Sequence, residues 1–190
     1  MTATASPPTA TTPRRLFTVH EFHKMAKAGI LGEKERVELI EGEIIQMSPI
    51  GGSHVLEIAR LVHLLVPLVE QEGLISPQGS LRISERTELL PDFVVLRNKQ
   101  YDGVPVAADA LLVIEVSDSS LSRDLSSKVA IYAAAGVQEY WVWDVKRHVV
   151  HQFTDPSEGQ YQQRREVKLG ETITSVALPA ISFKVVDISR

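Results

Sequence analysis

Three charged residues stand where their neighbours are apolar. Glu115 lies inside the run Ala110-Leu111-Leu112-Val113-Ile114-Glu115-Val116, before a polar exit at Ser117 to Ser120. Asp92 interrupts a second apolar run, Leu89-Leu90-Pro91-Asp92-Phe93-Val94-Val95-Leu96. A carboxylate buried alone costs several kcal/mol, on the order of a whole domain's stability, so something must compensate each. The third is Lys128. On a helix it falls in the middle of a stripe made by Leu125, Val129, Ile131, Tyr132 and Ala135. Two strand carboxylates aimed at one point can hold a hard divalent cation, and Mg²⁺ suits one or two carboxylates plus water. An ammonium beside them would face whatever anion the cation holds. The ordinary alternatives stay open. Each acid could end its strand in solvent or meet an arginine, and Lys128 could form an i,i+4 pair with Asp124.

The elements that must position these groups are readable from patterning. "FTVHEFHKMAKAG" carries Thr18 and Glu21 at capping-box spacing and Gly29 as a stop, which predicts a short helix. "RVELIEGEIIQMS" predicts a hairpin turning at Glu41-Gly42. A long helix is predicted from Ser53, its cap, to Gly73, with Pro67 as a kink. "LRIS", "LLPDFVVL" and "ALLVIEVS" read as strands, and alternation places Glu115 on one face with Leu111, Val113 and Ser117. Asp92 shares a face with Leu90 and Val94 by the same rule. "SRDLSSKVAIYAAAG" reads as one helix, followed by strands "EYWVWDV", "RHVVHQFT", "QYQQRREVKL" and "ISFKVVDI". The predicted class is α/β: a central mixed sheet flanked by helices. Residues 1–15 read as a disordered tail and 16–190 as one domain.

Bulk composition limits the function classes. The 190 residues are 44% apolar and 23% charged, with net charge −4, so nucleic-acid binding would need a local patch. No cysteine is present, which removes disulfides and thiolate metal sites and suits a reducing cytoplasm. The longest apolar helical stretch, "ARLVHLLVPLV", is too short for a membrane span. No Walker loop, zinc-binding His motif or Ser-His-Asp order is present, and no organic cofactor is expected.

Two strand acids and a lysine resemble the PD-(D/E)XK nuclease superfamily. Pro91-Asp92 matches its first half, and Glu115-Val116-Ser117 stands in place of (D/E)-X-K. The resemblance is closer to the Uma family of "putative restriction endonucleases", over roughly 17 to 155. It rests on "VELIEGEI", "SHVLEI", "LLPDFVVL", "LLVIEVSDSS" and "RDLSSKVAIYAAAGVQEYWVWD". Ser117 occupies the place of the strand lysine, and Lys128 on the following helix matches the position to which the lysine has moved.

The resemblance implies a restriction-endonuclease-like fold and a metal-dependent endonuclease acting on DNA. Asp92, Glu115 and Lys128 would be the catalytic residues. Asp92, Glu115 and the Val116 carbonyl would bind Mg²⁺, with Mn²⁺ as a substitute. Glu57 would be an outer ligand or a first-turn acid favoured by the helix dipole. His54 would orient a phosphate or cap the helix. Glu41, with Glu43, would join the site or sit in a solvated turn, and Ser117 would face the site from the strand. Tyr132 reads as packing. Trp141 and Trp143 read as sheet core and dimer surface, with a homodimer expected through Tyr140 to Val145 or its hairpin partner. Two other classes remain: a non-enzymatic DNA-binding or assembly module, and a carboxylate-pair hydrolase acting on sugars, which would need neither Lys128 nor a metal.

Overall fold

In the computed structural model of the protein, residues 14–32, 34–48, 51–69 and 72–188 are described, save the side chains of Ser53 and Asp187. The expected tail therefore lies outside the described residues over 1–13, as does the side chain of Ser53, whose backbone falls within a helix that begins at Gly52 and not at the cap position expected for it.

Helix α1 (Val19–Lys27) starts at Thr18, whose hydroxyl accepts from the Glu21 N–H while the Glu21 carboxylate accepts from the Thr18 N–H. This is the expected capping box. Strands β1 (Val37–Ile40) and β2 (Glu43–Gln46) form the expected hairpin. Its two turn residues, Glu41 and Gly42, both have positive φ (51° and 84°), the geometry of a tight turn that matches strand twist. Helix α2 (Gly52–Val69) keeps Pro67 inside its last turn, and the Gly73 expected to stop it is instead the first residue of the next strand.

Strands β3 (Gly73–Pro77), β4 (Leu81–Ser84), β5 (Thr87–Leu89) and β6 (Phe93–Arg97) follow. Then come β7 (Ala110–Ser117), helices α3 (Leu121–Asp124) and α4 (Ser127–Ala134), and β8 (Glu139–Asp144). The chain closes with β9 (Val149–Ser157), β10 (Gln160–Lys168), β11 (Thr172–Thr174) and β12 (Ser182–Lys184).

The main sheet has the order β10-β9-β8-β7-β6-β3. All its pairs are antiparallel except β7–β8, which the α3–α4 crossover joins in parallel. The sheet is therefore mixed, as predicted. One face packs on α2 through Ile58, Leu61 and Leu65 against Ile114, Trp141 and Trp143. The other packs on α4 through Tyr132 against Val113, Tyr140 and Phe153. A second sheet, β2-β1-β5-β4, packs on the α4 side, where Leu81 and Leu89 join the same core.

Four local expectations are corrected. The run "LLPDFVVL" is not one strand: β5 belongs to the small sheet and β6 to the main one, and Leu90-Pro91-Asp92 crosses between them. Pro91 lacks the N–H that a continuous ladder would use. The face of Glu115 does not include Leu111. The β6–β7 register runs Val95↔Leu112 and then Leu96↔Ala110, so Leu111 is the extra residue of a bulge and packs on the α2 side. The helix expected over the 122–136 segment is broken after Asp124, because Ser126 leaves helical geometry (φ −125°, ψ −87°). Finally, β8 is an interior strand buried along its whole length, and β9 is buried from Val149 to Thr154. Neither is a free dimer surface. Trp141 and Trp143, each 1% exposed, are core. Strand β3 had no clear alternation in the sequence. Its first residue, Gly73, lies so close to Leu96 that a Cβ would stand 2.8 Å from the Leu96 carbonyl oxygen, so glycine is what lets β3 pair with β6.

Candidate active site

The sheet register brings the two acids level. Phe93 pairs with Ile114, so the residue before one and the residue after the other, Asp92 and Glu115, meet at the same end of β6 and β7. They are 6% and 3% exposed. The Val116 N–H donates to Asp92 Oδ2 at 2.8 Å, which ties the strand ends together. The other carboxylate oxygen, Asp92 Oδ1, is 2.9 Å from His54 Nε2. His54 comes from the first turn of α2, so this contact also docks the helix on the sheet. Hydrogen bonding to Asp92 raises the His54 pKa, against the opposing effect of burial.

Lys128 is 2% exposed, and its ammonium is surrounded by acids. Its Nζ lies 2.8 Å from Glu115 Oε1, 3.2 Å from Glu38 Oε1 and 3.9 Å from Asp124 Oδ1. The pairing with Asp124 exists but is the longest of the three. Burial alone would lower the lysine pKa; Glu115, Glu38 and Asp124 outweigh it and hold the ammonium charged. One helical turn on, the Tyr132 hydroxyl donates to the same Glu115 Oε1 at 3.1 Å. Tyr132 thus packs, with its ring 4.8 Å from that of Tyr140, and also grips the acid.

Asp124 braces the crossover. Its Oδ2 accepts from Ser117 Oγ at 2.6 Å and from the Ser120 hydroxyl, and its backbone carbonyl accepts from the Tyr140 hydroxyl. Ser117 does face this cluster, but its hydroxyl is engaged with Asp124.

The structure brings Asp92, Glu115, Val116, His54 and Lys128 to the wall of one cavity of about 180 Å³. Glu57 goes elsewhere: its carboxylate accepts from Arg60 Nη1 at 2.6 Å and Trp143 Nε1 at 3.2 Å, under α2. Glu41 is exposed in the β1–β2 turn, and Glu43 pairs with Arg14 at 2.6 Å. Neither Glu41 nor Glu43 lines the cavity.

Glu38 was not singled out from the sequence, yet it belongs to the cluster. It is 1% exposed, and its Oε1 accepts from the Leu90 N–H at 3.0 Å while contacting Lys128. Its Oε2 is buried without a partner among the described residues. The signal was present: Glu38 interrupts "VELI" as Glu115 interrupts "LLVIEV".

Three carboxylates (Glu38, Glu115 and Asp124) therefore crowd one ammonium, and Asp92 adds a fourth negative charge beside Glu115. Burial first, then Asp92, Asp124 and Glu38, push the Glu115 pKa up to about 8, although Lys128 opposes them. Among the described residues, no three acidic or histidine side chains form a ready cage for an ion. The donor set is two carboxylates with unneutralised negative charge around them. That fits a hard cation which keeps several of its own waters, as Mg²⁺ does.

A model of the family described as "Putative restriction endonuclease", Uma2, matches residues 19–186. The chain belongs to the Uma2 family. The Uma2 match includes β1, β6, β7 and α4, which carry Glu38, the Asp92 junction, Glu115 and Lys128. The Uma2 chain is also similar to a solved structure from Anabaena variabilis, titled a "putative nuclease". That similarity has a TM-score of 0.73 at 16% identity, over 91% of this chain and 97% of the other, and it establishes a common fold. No curated protein matches the Uma2 chain.

Proposed function

We propose that the protein is a metal-dependent endonuclease that hydrolyses DNA phosphodiester bonds. One observation carries this reading: Lys128 Nζ stands 2.8 Å from Glu115, and both share a cavity with Asp92. Asp92 and Glu115, with the Val116 carbonyl, would hold Mg²⁺ or Mn²⁺. When bound, such an ion supplies Lewis-acid stabilisation of phosphoryl oxygens and lowers the pKa of an attacking water.

The protein's own residues do the rest. Glu38, Asp124 and Glu115 keep Lys128 charged and fixed, so its ammonium is preorganised towards an anion in the cavity. Tyr132 restrains one oxygen of Glu115. The Val116 N–H and His54 together fix Asp92 against rotation. Burial of all these groups strengthens their electrostatic effect on a phosphoryl group. Cutting both strands of a duplex with one such site per chain suits a homodimer, since homo-oligomers are most often two-fold. Work in the cytoplasm suits the absence of cysteine. No helix among the described residues is long and apolar enough to cross a membrane.

The test is nicking of supercoiled plasmid by the full chain with Mg²⁺ or Mn²⁺. Nicking should require the metal, stop on adding EDTA and be lost in Asp92→Asn. Equal activity in EDTA would reject the reading and favour metal-free carboxylate chemistry. Metal-dependent DNA binding without any nicking would favour the non-enzymatic module. Light scattering at tens of micromolar (about the usual working range) should give twice the chain mass.

A further inference from the structure

We infer that Arg36 and Arg123 form a two-point clamp for DNA backbone phosphates on either side of the bond to be cut. This inference rests on the nuclease reading and adds to it how the substrate is held.

The argument is one of charge. The cavity that contains Asp92 and Glu115 is lined by four cationic or protonatable side chains: Arg36, His54, Arg123 and Lys128. Two of them are engaged by the site's own acids. Lys128 faces Glu115, Glu38 and Asp124, and His54 faces Asp92. Arg36 and Arg123 differ. No salt bridge among the described residues engages either guanidinium. Both are half-buried at the cavity wall, so neither is simply a solvated surface charge.

They come from different elements of the fold. Arg36 immediately precedes β1, the strand that carries Glu38, and lines the cavity. Arg123 belongs to α3, next to Asp124, on the side of Lys128 and Glu115. The acids of the cavity suit a cation, and the two guanidiniums on the same wall suit anions beside that cation. A nucleic-acid strand presents such an alternation, with successive phosphates on either side of the scissile one. The planar fork of arginine matches two phosphate oxygens at once, which a point charge does not. The chain carries net charge −4, so an affinity for DNA must be local, and these two groups supply it where the chemistry is.

The experiment measures binding without requiring cutting. A fluorescein-labelled 20-base-pair duplex (about two helical turns) is titrated with the full chain in Ca²⁺, read by anisotropy, across a salt series. Wild type is compared with Arg36→Gln, Arg123→Gln and Arg165→Gln. The last removes an exposed charge on edge strand β10. Loss of one phosphate contact should weaken binding roughly tenfold at about 0.1 M salt and reduce the slope of log K against log salt by about 0.9. Arg36→Gln and Arg123→Gln should each show this, Arg165→Gln should not, and Mn²⁺ affinity without DNA should be unchanged in all three. Arg36→Lys and Arg123→Lys, which keep the charge, should recover part of the loss and guard against a folding defect.

Wild-type affinity and slope in both glutamine variants would overturn the clamp, as would an equal loss in Arg165→Gln. Absence of any binding by wild type would overturn it too. Arginine-dependent binding by a wild-type protein that never nicks DNA would leave the clamp standing and reject the endonuclease reading alone.

Discussion

The backbone N–H of Val116 donates to Asp92 Oδ2 at 2.8 Å, so the residue that follows one acid of the site holds the other in place. A carboxylate in the junction before β6 is thereby tied to the strand that carries the other, β7. The consequences differ for each residue in the cluster and can be measured separately.

Asp92→Asn should leave the fold nearly intact. The asparagine carbonyl can accept from Val116, and its amide can donate to a neutral His54 ring nitrogen. Metal affinity should fall at least about tenfold, because one anionic ligand is lost. Isothermal titration with Mn²⁺ checks this, and an unchanged affinity in a folded variant would remove Asp92 from the metal site.

Glu115 sets a pH dependence of stability in metal-free protein. Its folded pKa of about 8 lies above the ordinary value of 4.5, so the folded state holds a proton that the unfolded state releases. The stability contribution is therefore fully present below about pH 4.5 and is lost as pH rises through 8. The loss should be on the order of a few kcal/mol. Glu115→Gln keeps the shape without the titration, so its melting temperature in EDTA should fall less between pH 5 and pH 8 (roughly the window of the shift) than that of wild type. Parallel curves for the two proteins would contradict the assignment.

Lys128 is buried, so its removal should cost more than an exposed ion pair would. Lys128→Ala leaves Glu38, Glu115 and Asp124 without a cation and opens a void, for a loss of about 3–5 kcal/mol. Lys128→Met retains most of the volume and is the better probe of chemistry. Its turnover, normalised to folded protein, should drop roughly 10²–10³-fold, as on loss of one preorganised donor. Mn²⁺ should still bind, because an ammonium is not a ligand. Wild-type cleavage by the methionine variant would sink the role proposed for Lys128.

Glu38 separates a packing role from an electrostatic one. Glu38→Ala strips the Leu90 N–H of its acceptor and should cost about 1–3 kcal/mol in chemical denaturation. Glu38→Gln can keep that hydrogen bond while removing a charge next to Lys128, so its stability should stay closer to wild type while its turnover falls. Equal destabilisation by both substitutions would show that the charge, not the hydrogen bond, is what Glu38 contributes to the fold.

Asp92, Glu115 and Lys128 were legible in the sequence because each breaks an apolar pattern. A charge in a buried run must find compensation, and that requirement is local and visible. The capping box at Thr18 and Glu21 and the Glu41-Gly42 turn were legible for the same reason: their hydrogen bonds and φ angles are set within a few residues. What compensates the charges was decided by tertiary structure. Glu38 reaches Lys128 only because the small sheet folds over α4, and His54 reaches Asp92 only because α2 docks across the end of β6. Glu57 lies three residues from His54, yet it turns to Trp143, a partner fixed by the interior position of β8. The bulge at Leu111 and the break between α3 and α4 come from strand pairing and helix docking, which alternation and helical periodicity do not encode. Periodicity assigns a side chain to a face of its own element. Which element covers that face depends on contacts between distant segments, and those form only when the chain has closed on itself.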